Sequence, residues 1–70
     1  MSEQDSDAIA IIVAKHGLTI DKLREAKKIV IELNNQTKLA SASRSLGIAI
    51  DRINESIMWL EKGCQELIAF

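Results

Sequence analysis

Apolar residues recur along this chain every three or four positions, the spacing of one face of an α-helix. Residues 8–14 are apolar all round, which predicts a first helix from about Asp7 to His16 that ends at Gly17 and is buried on more than one side. A second stripe predicts a helix that begins near Thr19 and ends at Asn34-Asn35. Its members are Ile20, Leu23, Ala26, Val30 and Leu33.

The second half of the chain predicts two more helices. Thr37 is expected to cap a short third helix, Gly47 to make a turn, and a fourth helix to run from about Ile50 to Lys62 before Gly63 stops it. The tail Cys64–Phe70 is expected to form a last turn or an extended piece.

The predicted fold is therefore all-α, in one domain that covers residues 1–70. It is a small bundle of four helices, with a tri-helical core plus the N-terminal helix. Residues 1–7 are predicted to be a flexible acidic start. The rival interpretation pairs residues 8–14 with residues 29–33 as β-strands, because isoleucine and valine favour strands.

Composition narrows the class of protein. The chain has 70 residues, a net charge of −1 and 47% hydrophobic residues, which is typical of a small globular domain and not of a polybasic or a disordered one. A single cysteine excludes a disulfide framework and points to a reducing, cytoplasmic location. The longest apolar run is too short to span a bilayer, so no membrane is expected as a partner.

Residues 37–62 carry the most specific pattern, a short helix, a glycine and a second helix at helix-turn-helix spacing. Small Ala42 and Ser43 let two helices approach closely. Gly47 permits a tight turn, and aliphatic residues such as Ile53 and Ile57 are placed to fill the core between the helices.

The stretch LASASRSLGIAIDRINESIMWLEKGCQELIAF resembles the N-terminal DNA-binding module of LysR-type transcriptional regulators, and part of it is similar to Fis-like proteins. The resemblance covers roughly residues 20–70 and implies a helix-turn-helix fold and transcription control, without the wing or effector domain of that family. The positions that match the family's pattern are Leu39, Ala42, Leu46, Gly47, Ile48, Ile53, Ile57, Leu60 and Glu61.

Two functions follow from this pattern. The first is a small regulator that binds double-stranded DNA, with Lys38, Arg44, Arg52 and Asn54 as the residues that contact phosphates or bases. The second is a protein-interaction module that keeps the scaffold and binds a transcription factor or another protein. Acidic and apolar residues on the nominal DNA face favour this alternative, through Ile50, Glu55, Met58 and Trp59.

A homodimer is expected because the first helix is apolar on every side in a chain too small to bury it. Ile9, Ile12 and Val13 are the predicted dimer interface. His16 is expected to interact with a helix C-terminus, and Cys64 to be an inert, buried thiol. We expect no enzyme activity, no catalytic residue, no metal and no cofactor, because the residue constellations that such chemistry requires are missing.

Overall fold

The computed structural model describes residues 3–69, with side chains from residue 7 onward. Within that range the chain forms two α-helices, α1 (Glu3–Gln36) and α2 (Ala40–Ala69), joined by residues 37–39. The all-α class is confirmed, and the strand alternative is wrong because residues 8–14 and 29–33 lie inside α1. Residues 1 and 2 of the predicted flexible start and Phe70 of the predicted tail lie outside the described residues, whereas α1 already begins at Glu3.

The prediction of four helices is wrong. Gly17 lies inside α1, while Gly47 and Gly63 lie inside α2, and none of the described residues has a positive φ. A glycine ends a helix by adopting the left-handed conformation, and these three glycines keep helical geometry instead. The turn predicted at Gly47 within residues 37–62 is therefore not formed, and the tail from Cys64 continues α2 through Ala69.

The two helices pack side by side along a heptad seam. In α1 the buried and half-buried residues other than Ala26 follow steps of three and four through Ile9, Val13, His16, Ile20, Leu23, Lys27, Val30 and Asn34. In α2 the same steps run through Ser43, Leu46, Ile50, Ile53, Ile57, Leu60, Cys64 and Leu67. In α2 the small residues Ala42, Gly47, Ala49 and Gly63, which flank the seam, are half-buried as well. The 3.5-residue period of these steps is the spacing of a coiled coil, so the chain is an antiparallel coiled-coil hairpin.

Polar side chains fix the closed end of the hairpin. The Ser43 hydroxyl donates to Oδ1 of Asn34 across the seam (2.7 Å), and the Thr37 backbone N–H donates to the Asn34 carbonyl (3.1 Å). The Thr37 hydroxyl donates to the Leu33 carbonyl (2.7 Å), so it closes the last turn of α1 rather than capping a new helix. The predicted break at Asn34-Asn35 thus lies within two residues of the observed end of α1 at Gln36.

The hairpin is long, flat and poorly buried. Its extents are 56 × 15 × 10 Å and its radius of gyration is 16.5 Å, against about 11 Å for a compact domain of this length. Among residues 7–69 only Ile20, at 8% exposure, is classed as buried. Neither helix combines the length and apolar character that a membrane crossing requires, within the part of the chain that the structure describes.

Candidate functional site

The heptad gives the hairpin two broad sides with different chemistry. On one side the residues that flank the seam are all uncharged, namely Ile12, Thr19, Ala26 and Leu33 from α1 and Ala42, Ala49, Ser56 and Gly63 from α2. Members of each set lie seven residues apart and therefore on one side of their helix. On the other side the flanking residues include Arg24 and Glu61, whose side chains form an ion pair across the seam (3.1 Å).

We call the side with the uncharged flank the Trp59 face, after its largest residue. Charged residues also lie on this side, because Lys15 and Lys22 occupy the same outer position as Ile29, and Arg52 and Glu66 that of Trp59. Trp59 lies three residues after Ser56 and four before Gly63, so it stands beside both on this face. Ile29 stands beside Leu33 in the same way. These large side chains are open to solvent, with Ile29 64%, Trp59 55%, Leu33 49% and Ile12 41% exposed. The face is thus an apolar surface with no partner in the single chain.

Polar groups form the borders of the Trp59 face. The Lys62 ammonium lies 4.9 Å from the centroid of the Trp59 ring, a cation–π contact between residues one helical turn apart. At the open end of the hairpin, a shallow cleft of about 200 Å³ is lined by Ile12, Lys15, His16, Thr19 and Leu60. An apolar centre with a polar border is the arrangement of a protein–protein interface.

The opposite side carries a larger and more basic cleft of about 610 Å³. Arg24, Lys27 and Lys28 bring three positive charges to it, and Asn54 and Ile57 line it from α2. Arg24 also lies 3.9 Å from Asp21 and pairs with Glu61 at 3.1 Å, so part of its charge is already compensated. We call this feature the basic cleft; Ile31 and Glu32 complete its lining.

The predicted DNA-binding residues do not converge on one surface. Lys38 lies in the 37–39 connection at the closed end, whereas Arg44, Arg52 and Asn54 are spread along α2. Arg52 and Asn54 are two positions apart, about 200° around the helix, so they lie on opposite sides. The Arg52 guanidinium donates to Glu55 on its own helix (2.9 Å). Only Asn54 lies in the basic cleft.

The predicted protein-interface residues also divide. Ile50 is half-buried in the seam and packs the hairpin together, so its outward placement was wrong. Met58 is 55% exposed but stands beside Asn54 and Glu61, on the side of the basic cleft. Glu55 lies on the outer edge of α2 and is paired with Arg52. Trp59 alone of this set lies on the apolar face.

The predicted dimer residues divide in the same manner. Ile9 and Val13 are half-buried at seam positions, where they face α2 and not the outside. Ile12 is exposed and lies on the Trp59 face. The sequence-based interpretation missed Ile29, and it assigned Leu33 to the core. The heptad phase, continued through the glycines, is the signal that would have placed both on this face.

The two residues with candidate chemistry both lie in the seam. His16 is half-buried, and its ring donates an N–H from Nδ1 to the Ile12 carbonyl (2.8 Å). The predicted contact of His16 with a helix C-terminus is wrong, because α1 continues for twenty residues beyond it. Cys64 is a free, half-buried thiol. Within residues 7–69 no group of three metal-ligating side chains comes together.

A two-helix coiled-coil hairpin, with exposed apolar residues on the Trp59 face and a basic cleft on the opposite side, is thus the class of fold that these observations define. No family model, curated protein or solved structure matches the chain. The relationship to LysR-type regulators therefore stays a prediction.

Proposed function

We propose that this protein is a protein-interaction module that acts by binding another protein through its Trp59 face. The observation that carries the proposal is the exposure of Ile29, Leu33 and Trp59 on one broad side of the hairpin. Contiguous exposed apolar surface of this kind marks interaction sites in soluble proteins. Tryptophan is also enriched among the residues that dominate binding energy at interfaces.

The weak interior of the hairpin supports the same proposal. Among the described side chains only Ile20 is buried, so most apolar side chains of the two helices remain in contact with water. Because each buried aliphatic or aromatic side chain contributes roughly 1.5–3 kcal/mol, a partner on this face adds stabilisation that the lone chain lacks. We place this activity in the cytoplasm, where a single cysteine stays reduced.

The test compares two neighbouring residues of α2. Trp59 and Met58 are both 55% exposed, but only Trp59 lies on the proposed face. Tagged wild-type, Trp59→Glu and Met58→Glu proteins are cross-linked in the source cells and purified. We expect the wild type and Met58→Glu to be cross-linked to the same partner, which is either another protein or a second copy of this chain. We expect Trp59→Glu to lose that cross-link.

A second readout comes from the single tryptophan of the chain. When a partner covers the Trp59 face, the fluorescence maximum of Trp59 must move to shorter wavelength, because the indole leaves water. Equal cross-linking by Trp59→Glu and Met58→Glu, with unchanged helical circular dichroism, contradicts the proposal. An unshifted Trp59 emission in the purified complex contradicts it as well.

Binding to nucleic acid is a second candidate, favoured by the basic cleft. Arg24, Lys27 and Lys28 would contact phosphates there, with Asn54 beside them. Three such contacts predict that the logarithm of the affinity for duplex DNA falls with the logarithm of salt at a slope of roughly −3. The test is retardation of random duplex DNA at low salt. Lys28→Ala must weaken it, whereas Lys15→Ala, on the other side, must not.

A further inference from the structure

We propose that the partner that covers the Trp59 face is a second copy of this chain, stacked face to face in a two-fold symmetric dimer. This inference rests on the proposed function, because it names the occupant of the same face. Of the predicted dimer residues Ile9, Ile12 and Val13, the proposed interface keeps only Ile12, since Ile9 and Val13 are already engaged in the seam.

The exposed surface area of the single chain favours a second copy as the partner. The chain exposes 5561 Å², whereas a compact monomer of this mass exposes about 4,400 Å². The difference is about 1,200 Å² per chain. A stable interface of standard size removes roughly 800 Å² from each partner. Loss of one broad face to a second copy therefore brings the exposed area of each chain to the range of a compact protein.

The dimensions of the broad side of the hairpin also favour a second copy. The broad side of the hairpin measures 56 × 15 Å, a footprint of about 840 Å², which is close to one partner's share of a standard interface. The uncharged flank runs from Ile12 to Leu33 and from Ala42 to Gly63, about 32 Å along each helix, and a second hairpin is long and flat enough to cover all of it. A two-helix layer with one apolar side is also completed by packing on another layer.

The residue types and charges of the Trp59 face are also compatible with packing against a second copy. Ala26, Ala49 and Gly63 flank the seam on this side and let the helices of a second layer approach closely. Large residues stand to either side of them, as interdigitated packing requires. The positions flanking the seam on this side carry no formal charge, so two copies bury no like charges at the centre of the interface. The charged residues of this side, Lys15, Lys22, Arg52 and Glu66, occupy its outer positions, where long side chains reach solvent. The net charge of −1 per chain adds little long-range repulsion.

The test is the oligomeric state of the purified chain over a wide concentration range. By sedimentation equilibrium, the wild type is expected to show twice the chain mass of 7.8 kDa, with dissociation on dilution. Because a two-fold interface carries each substitution twice, Trp59→Glu should raise the dimer dissociation constant on the order of 100- to 1,000-fold. Met58→Glu should leave it unchanged.

A second matched pair guards against effects of Trp59→Glu on folding. Ile29→Glu is expected to dissociate the dimer, whereas Ile48→Glu, on the outer edge of α2, is not. Both isoleucines are mostly exposed, so neither substitution removes a side chain from the seam. Helical circular dichroism at high concentration shows that each variant folds, and emission of Trp59 shows whether its face is covered.

Each outcome decides the inference. A wild-type mass of one chain at every concentration overturns it, and so does a dimer that neither Trp59→Glu nor Ile29→Glu weakens. Dissociation by Met58→Glu or Ile48→Glu alone overturns it too, because it places the interface elsewhere. A monomeric chain that still retains a different protein in cells through Trp59 overturns the dimer but leaves the proposed function standing; a monomer that retains nothing contradicts both.

Discussion

Replacement of Gly47 with alanine tests whether α2 is continuous, because the expected change in stability has opposite signs in the two possible structures. In the hairpin, Gly47 has helical geometry and a Cβ added there meets no atom within 4 Å. Alanine in a helix interior is then favoured over glycine by roughly 0.5–1 kcal/mol. In a helix-turn-helix with Gly47 in a left-handed turn, alanine instead costs about 1–2 kcal/mol.

The magnitude is measurable. A change of 1 kcal/mol shifts the Tm of a domain of this size by about 4–8 °C. We therefore expect Gly47→Ala to raise the Tm by roughly 2–8 °C, as followed by circular dichroism in the helical band. All variants must be compared at one protein concentration, because association contributes to apparent stability.

Gly17→Ala is the matched control. Gly17 lies in the interior of α1, and a Cβ there also meets nothing within 4 Å, so the same substitution should stabilise by a similar amount. The two sites lie on different helices, and their effects should add in the double variant. A Gly47→Ala protein that melts below the wild type while Gly17→Ala melts above it refutes the continuous α2 and restores a turn at that position.

Three further predictions concern the seam and its closure. Ile20→Ala should lower the free energy of unfolding by about 2–4 kcal/mol in urea titrations, since Ile20 is the buried residue of the interior; a loss below 1 kcal/mol contradicts a heptad seam at this site. A double-mutant cycle on Arg24 and Glu61 should give a coupling of no more than ~1 kcal/mol that shrinks at high salt, because the side chains are 59% and 48% exposed. Asn34→Ala and Ser43→Ala should each cost about 1 kcal/mol, and their combination little more, if the 2.7 Å hydrogen bond is what both remove.

The helical class and the position of the main break follow from sequence, whereas the number of helices does not. Asn34, Thr37 and Ser43 form local hydrogen bonds of the kind that end a helix. The break between the two helices can therefore be predicted from the sequence. Glycine is different, because it tolerates both a left-handed cap and a helix interior. Which conformation it adopts depends on packing along the whole seam.

The phase of the apolar positions shows which choice packing makes. Val13 and His16 before Gly17 are in register with Ile20 and Leu23 after it, so one continuous helix keeps all of them facing α2. A break at Gly17 would lose that register. Glycine in the interior costs about 1 kcal/mol relative to alanine, less than the burial of one seam isoleucine gives back.

The candidate site was only partly predictable for the same reason. Trp59 and Ile12 stand out by size and hydrophobicity, but Ile29, Leu33 and Ala49 belong to a surface only when the heptad register is known. Leu33 is an example. The predicted stripe from Ile20 reaches it through Ala26 in steps of 3, 3, 4 and 3 residues, whereas the observed 3.5-residue seam passes through Lys27, Val30 and Asn34 and leaves Leu33 outside.

The two broad sides of the hairpin differ in the charge of the residues beside the seam, and this difference favours a protein partner on the Trp59 face. In water, an isolated antiparallel coiled coil presents both flanks of its seam to the same solvent, and charged residues on both flanks would serve solubility equally well. On one flank Arg24 and Glu61 form an ion pair and the other six residues are uncharged, namely Ala10, Gly17, Ile31, Ala40, Gly47 and Asn54, while the other flank has no charge from Ile12 to Leu33 or from Ala42 to Gly63. An apolar strip of that length with Trp59 and Ile29 beside it exposes surface that favours association.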